Sequence, residues 1–375
     1  MKKYIYFAMA MLMAGSFVSC TEEGPEDEGN VIIVGQNIET PTTWLGSKTY
    51  VVERAIYVDA NLTIEPGTVI KFKSGSSLSF GSYENMTLTA NGTEDKPIVF
   101  TSFSANPAPG AWEGLWFYDN ALSNSSMAYC QVMYAGQNDY PALNFDVKIK
   151  FNNCTVSKNK KNGIYSVEGF VEFNGNTIED QGAFPIDIAS KALHTLGVNN
   201  AITCEPGYGI RVRGGTLEGA TPITWKKQTV PYYIVDAIYV DQSLTIDPGT
   251  TLQFQADGSL SIGSHQVLTF NALGTETEKI IFTSAAATPA PGAWAGLFFY
   301  EKVTGNSKMK YCVVEYAGKD NNHANITLSY VNGLTIENCT IRKSSGYGVY
   351  SWGSTWNNID NIFEDNALGD ISTHD

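Results

Sequence analysis

The sequence predicts an all-β chain wound as a right-handed parallel β-helix, a solenoid, and internally duplicated. Three observations lead there. The chain is written twice: Ala55-Ile-Tyr-Val-Asp59 returns as Ala237-Ile-Tyr-Val-Asp241, and Leu62-Thr-Ile-Glu-Pro-Gly-Thr68 as Leu244-Thr-Ile-Asp-Pro-Gly-Thr250, at an offset of 182. That offset becomes 185 by Asn153-Cys-Thr155 against Asn338-Cys-Thr340, so copy two gained three residues in between. Short alternating β-rich runs then fill both copies, with no long apolar stripe of helical period outside the N-terminus. Finally, similar units recur about every 22 to 25 residues within copy one. Sandwiches and barrels share the short runs, but this recurrence is the length of one three-sided coil. In such a coil each strand pairs with its equivalent one coil later, about 4.8 Å away. No coil buries its own inner face; stacking does.

In chain order, residues 1–19 read as a signal peptide: Lys2 and Lys3 precede an apolar stretch, Ile5 to Leu12, too short to span a bilayer. Phe17-Val-Ser-Cys20 resembles a bacterial lipobox, which makes Cys20 the lipidated first residue of the mature chain. Residues 20–30 then form an acidic tether, with five acids between Thr21 and Gly29. The tether resembles the acidic export signal that follows the lipid cysteine in surface lipoproteins of Bacteroidetes-like bacteria.

Copy one spans 31–190. Its runs include Thr49-Tyr-Val-Val52, Val69-Ile-Lys-Phe72 and Ile98-Val-Phe100, divided by Gly, Asn, Asp, Ser or Pro. Asn-rich corners such as Asn152-Asn153, Asn176 and Asn338 suit a solenoid, because Asn tolerates the left-handed conformation and can stack its amides coil on coil. Glu65-Pro-Gly-Thr68 and Asp247-Pro-Gly-Thr250 read as type II turns rather than calcium ligands, with Pro and Gly at the positions that turn needs. Residues 191–221 join the copies, and 222–375 form copy two.

The chain carries a formal charge of −14. Nucleic acid is thereby excluded as a partner, and a polyanionic glycan would need calcium or a local basic patch. Calcium is the one cofactor left open, and no motif calls for it. Five cysteines follow Cys20, an odd number that argues against a complete disulfide framework. Cys130/Cys154 and Cys312/Cys339 lie 24 and 27 residues apart, near one coil; buried thiols are the favoured reading and a disulfide between coils is sterically conceivable. The histidines are isolated and nothing has zinc spacing, so no metal residues are assigned.

Duplication also sorts candidate sites, since a residue that determines the fold recurs while a catalytic one is usually single. The best acidic candidates for acid/base chemistry are Glu179, Asp180 and Asp187, mirrored by Glu364, Asp365 and Asp370. Solvated turn acids are their simpler reading. Aromatics are a better lead. Trp112, Trp116, Phe117 and Tyr118 return as Trp294, Phe298, Phe299 and Tyr300. Such rings can stack on a pyranose, but Trp112 and Trp294 can equally cap the apolar column. Trp352 and Trp356 occur in copy two alone, replacing Val167 and Val171, with Asn357 and Asn358 following. They are the most suggestive recognition feature.

Ile336-Glu-Asn-Cys-Thr-Ile341 with Gly348-Val-Tyr350, and Asn153-Cys-Thr-Val156 with Gly163-Ile-Tyr165, resemble the repeat of pectin-lyase-like parallel β-helix proteins. The Pro-Gly-Ala-Trp and Lys96-Pro-Ile-Val-Phe-Thr-Ser102 segments resemble surface lipoproteins of Bacteroidetes-type bacteria. The resemblance implies the fold and leaves function open, because this architecture carries lyases, hydrolases, adhesins and binding proteins alike. Neither the Gly-His-Gly and Arg-Ile-Lys pattern of polygalacturonases nor a complete pectate-lyase set is present. The expectation is a surface protein facing the cell exterior from the outer membrane, held only by its lipid, that binds a glycan or another cell surface without catalysis. A polysaccharide lyase or hydrolase, and a structural spacer, are the alternatives. The sequence leaves ligand and oligomeric state open. If Cys20 carries the lipid, Cys20→Ser releases the protein from the membrane fraction; unchanged fractionation would remove the anchor.

Overall fold

The computed structural model describes residues 30–319 and 323–375. The signal peptide, Cys20 and the tether up to residue 29 lie outside the described residues. Strands fall into five sheets of eight, thirteen, six, seven and six strands, and successive coils pair in parallel. The chain is a right-handed parallel β-helix with short 3-10 turns at Gln137–Asp139 and Ser190–Thr195.

Alternation explains the core. In Ile98–Ser102 the burial pattern puts Ile98, Phe100 and Ser102 inside and Val99 and Thr101 at the surface. Registered pairing then stacks inward residues into continuous columns. One column of the thirteen-stranded sheet passes from Ile56 and Leu78 through Leu115, Leu143, Ile164, Ile186, Ile210 and Tyr232 to Leu252, Phe282, Val314 and Ile341. The column crosses from copy one to copy two without a break. Aromatic stacks recur in the core: Trp112 lies 3.9 Å from Phe72 and Trp294 lies 4.1 Å from Phe254, centroid to centroid. Each indole donates to a backbone carbonyl 2.8 Å away, of Met133 and Glu315 respectively.

Corners need a different solution, because there the chain turns away from its neighbour and leaves backbone N–H groups inside. The answer is a ladder of side-chain acceptors, each taken from the next coil. The N–H of Asn176 donates to Asn200 Oδ1 (3.0 Å), that of Cys154 to Asn176 Oδ1 (2.9 Å), and that of Cys130 to Cys154 Sγ (3.5 Å). Copy two repeats the order: Cys339 N–H reaches Asn361 Oδ1 (2.8 Å) and Cys312 N–H reaches Cys339 Sγ (3.3 Å). The Pro-Gly corners are turns, closed by Thr68 and Thr250 hydroxyls on the Glu65 and Asp247 carbonyls, both at 2.7 Å.

The copies do not stack in phase. Val69–Phe72 and Ile98–Ser102 belong to the eight-stranded sheet, whereas their counterparts Thr251–Phe254 and Ile280–Ser284 belong to the thirteen-stranded one. Ala55–Val58 lies in the thirteen-stranded sheet and its counterpart Ala237–Asp241 in the seven-stranded one. The joint is the cause. Ala201–Ile202 ends the eight-stranded sheet, Ile210–Arg213 carries the thirteen-stranded sheet on, and Gly215–Glu218 and Ile223–Trp225 open new sheets. Copy two is therefore rotated by one face about the solenoid axis.

Two stability measurements test this architecture. Phe282→Ala should cost about 3–5 kcal/mol in denaturant unfolding, while Val99→Ala, one step out of the column, should cost under about 1 kcal/mol; equal losses would contradict the alternation. Asn176→Ala removes an acceptor and two donations, to the Phe151 carbonyl and to Asn200, and should cost about 2–4 kcal/mol. A loss below about 0.5 kcal/mol would mean the ladder is dispensable.

Candidate functional site

The inside–outside alternation decides which aromatics can meet a ligand. Along Gly114–Phe117, Leu115 and Phe117 point in, so Trp116 points out, and Tyr118 follows it to the surface. The outward residues registered with Trp116 are Ser79 on one side and Asn144 on the other, and Tyr57 lies beyond Ser79. A hollow of about 280 Å³ results, lined by Tyr57, Trp116, Tyr118, Tyr140, Ser77, Ser79 and Glu113. Tyr140 meets the edge of Trp116 at 5.0 Å, and Tyr83 meets Tyr57 at 5.3 Å. Burial, with Asp146 nearby, pushes the Tyr118 phenol above its ordinary value, so it keeps its proton and can donate. Small serines form the floor and aromatic rings the walls, which suits a flat, hydroxylated ligand.

Further along the same outward column lies a group found once among the described residues. Asp187, fully buried, accepts from Arg211 Nη1 (2.6 Å) and from Arg213 Nη1. Arg213 also donates to the Ser166 carbonyl (2.6 Å) and lies over the Tyr165 ring at 4.1 Å. Phe184 packs beside Arg211, Tyr208 and Tyr233. These contacts knit the joint between the copies, and they occupy the Asp187 carboxylate with two guanidinium groups.

The other acids stay apart from it. Glu179 and Asp180 lie on Thr177–Gln181 in the eight-stranded sheet, while Asp187 lies in the thirteen-stranded one. Asp180 and Asp365 occupy equivalent left-handed corner positions, at φ 52° and 54°. Glu364 faces Arg342 at 3.7 Å. Asp370 is not the structural mirror of Asp187: Tyr165 pairs with Asp187 and the matching Tyr350 pairs with Ser372, so the mirror position is Ser372. Among the described residues no group of three or more His, Cys, Asp and Glu side chains is placed to hold a metal ion.

Trp112 and Trp294, candidates for ligand contact from sequence, are buried completely, which removes them from any ligand surface. Their place after the Pro-Gly-Ala loop is an inward one, where a flat ring fills the gap over Phe72 or Phe254. Trp356 also turns inward: it registers with buried Leu334 and packs against the core, half covered because it lies in the last coil. Trp352 projects outward, 41% exposed, donating from Nε1 to the Tyr330 hydroxyl (3.0 Å) and stacking on His374 at 5.8 Å. Asn357 and Asn358 are exposed, but on the neighbouring face; Asn357 Nδ2 bonds Thr335 Oγ1 (3.1 Å) and Asn358 Oδ1 takes Asn361 Nδ2 (2.7 Å). Tyr57, Tyr83 and Tyr140 were missed in the sequence: strand alternation in Ala55–Val58 marks Tyr57 as outward, and Tyr83 and Tyr140 lie in loops, where alternation gives no signal.

A pectate-lyase-like β-helix domain model matches residues 36–163 and 215–337, more than half of the chain and one segment in each copy. Neither the curated proteins nor the solved structures contain a match. With the fold and the matched segments in agreement, the chain belongs to the pectate-lyase-like β-helix family.

Proposed function

We propose that this protein binds a glycan, without catalysis, through aromatic side chains on the outer surface of a lipid-anchored β-helix exposed outside the outer membrane. The observation that carries the reading is the hollow walled by Tyr57, Trp116, Tyr118 and Tyr140 over Ser77 and Ser79. A pyranose presents an apolar face to an aromatic ring and hydroxyls to its edge, and the serine, tyrosine and Glu113 oxygens supply partners for those hydroxyls. Trp352 with Tyr330 adds a second exposed plate in copy two. Hydrolase chemistry fits less well, because it asks for two carboxylates about 5 to 10 Å apart across a bond. Here Glu179 and Asp180 lie on a different face from Asp187, and Asp187 is taken by two arginines.

A glycan array probed with the full-length protein in detergent tests the reading. Trp116→Ala should weaken the captured glycan at least about tenfold, as removal of a central aromatic contact does, with the melting temperature within a few degrees of wild type. Trp352→Ala should weaken binding at the second plate in the same way. An array with no signal, or wild-type affinity in both variants, would sink the glycan reading; binding lost only where the protein unfolds would assign these rings to stability.

A further inference from the structure

We propose that Cys130–Cys154 and Cys312–Cys339 are disulfide-forming sites that cross-link successive coils, one in each copy of the repeat. All four thiols are reduced and buried in the structure. Each pair occupies adjacent rungs of the corner ladder, Cys130 N–H meeting Cys154 Sγ at 3.5 Å and Cys312 N–H meeting Cys339 Sγ at 3.3 Å. In the reduced fold each thiol donates to a backbone carbonyl: Cys130 to Ala90 (3.2 Å), Cys154 to Asn152, Cys312 to Ala272 and Cys339 to Glu337 (3.3 Å each). Register places the paired residues side by side: Gln131 pairs with Thr155 and Val313 with Thr340, one step beyond each cysteine. Parallel neighbours are about 4.8 Å apart, inside the span of about 4.4–6.8 Å that a disulfide bridges between Cα atoms.

The ladder alone does not ask for sulfur. Asn176, Asn200 and Asn361 fill the other rungs, and their amide oxygens accept the same backbone N–H at 2.8–3.0 Å, closer than the sulfurs do. Cysteine stands at two consecutive rungs, in both copies, where two side chains can be joined. The fifth described cysteine, Cys204, is half-buried and belongs to no such pair.

Burial pushes the Cys130 and Cys312 thiols well above their ordinary range, so in the finished fold they are neutral and poor nucleophiles. All four cysteines are also sealed from a soluble oxidant in the finished fold, so the bond forms while the corner is still open. One thiolate attacks glutathione disulfide and expels one glutathione; its partner then attacks the mixed disulfide and expels the second. In sum, two cysteine thiols lose two electrons and two protons to form one Sγ–Sγ bond, and one glutathione disulfide becomes two thiols.

The test refolds the full-length protein from denaturant in a reduced/oxidised glutathione buffer, quenches it with acid, and alkylates it under denaturing conditions before and after reduction. Peptide mapping should find Cys204 alkylated without reduction. Cys130, Cys154, Cys312 and Cys339 should be alkylated only after reduction, with Cys130 linked to Cys154 and Cys312 to Cys339. Full alkylation of any of the four without reduction, or linkage in another pairing, overturns the proposal. Cys154→Ser should expose Cys130 to alkylation while leaving Cys312 linked to Cys339; a Cys130 still protected in that variant also overturns it. Should that variant fail to refold, the wild-type map decides alone.

Discussion

At its Asn and Cys corners this solenoid must find an acceptor for a backbone N–H that water cannot reach, and it finds it one coil away. A buried, unpaired amide costs about 1–3 kcal/mol, and corners repeat along the whole rod, so unsatisfied they would outweigh the few kcal/mol by which a fold survives. The acceptor must come from the next coil at the right height, which forces a corner residue with a short acceptor side chain and leaves the loops elsewhere in the coil free to differ in length. Asn176, Asn200 and Asn361 meet that demand with amides, Cys154 and Cys339 with sulfur. Once corners are pinned, the strands between them have no freedom of register. The inward columns and the outward surface follow.

Register is what turns a repetitive sequence into distinguishable positions. In Gly114–Phe117 two neighbouring aromatics part company: Phe117 joins the stack with Phe80 and Phe145, at 4.7 and 4.9 Å, and Trp116 leaves it. The same rule separates Trp352 from Trp356, across the Gly353 corner at φ 53°. A surface aromatic and a core aromatic thus differ by one step of chain.

The fold was legible because it is repetitive: duplication, coil length and Asn-rich corners each report a periodic constraint, and they agree. The candidate surface was legible only in part. Trp116, Tyr118 and Trp352 could be singled out as aromatics, yet nothing in composition says that Trp112 and Trp294 face inward while Trp116 faces out; that depends on where each strand begins relative to its corner. Tyr140 sits in a loop between strands and reaches Trp116 only in three dimensions. Asp187 looked like one of several turn acids, because its partners Arg211 and Arg213 arrive from the next coil and from a joint diverged from both copies. The one-face rotation was equally hidden. It follows from how many faces the joint occupies, and strand spacing alone does not count faces.

That rotation has a geometric consequence. Tyr57 and Trp116 stand on the thirteen-stranded sheet, whereas their counterparts Tyr239 and Phe298 stand on the seven-stranded one, together with Tyr350 and Trp352. A duplication in phase would have laid both aromatic groups along one edge of the rod, ready for a single stiff polymer. Out of phase, the two groups look in different directions. A straight strand laid against one group would leave the other pointing away from it, so no single stiff polymer could lie along both.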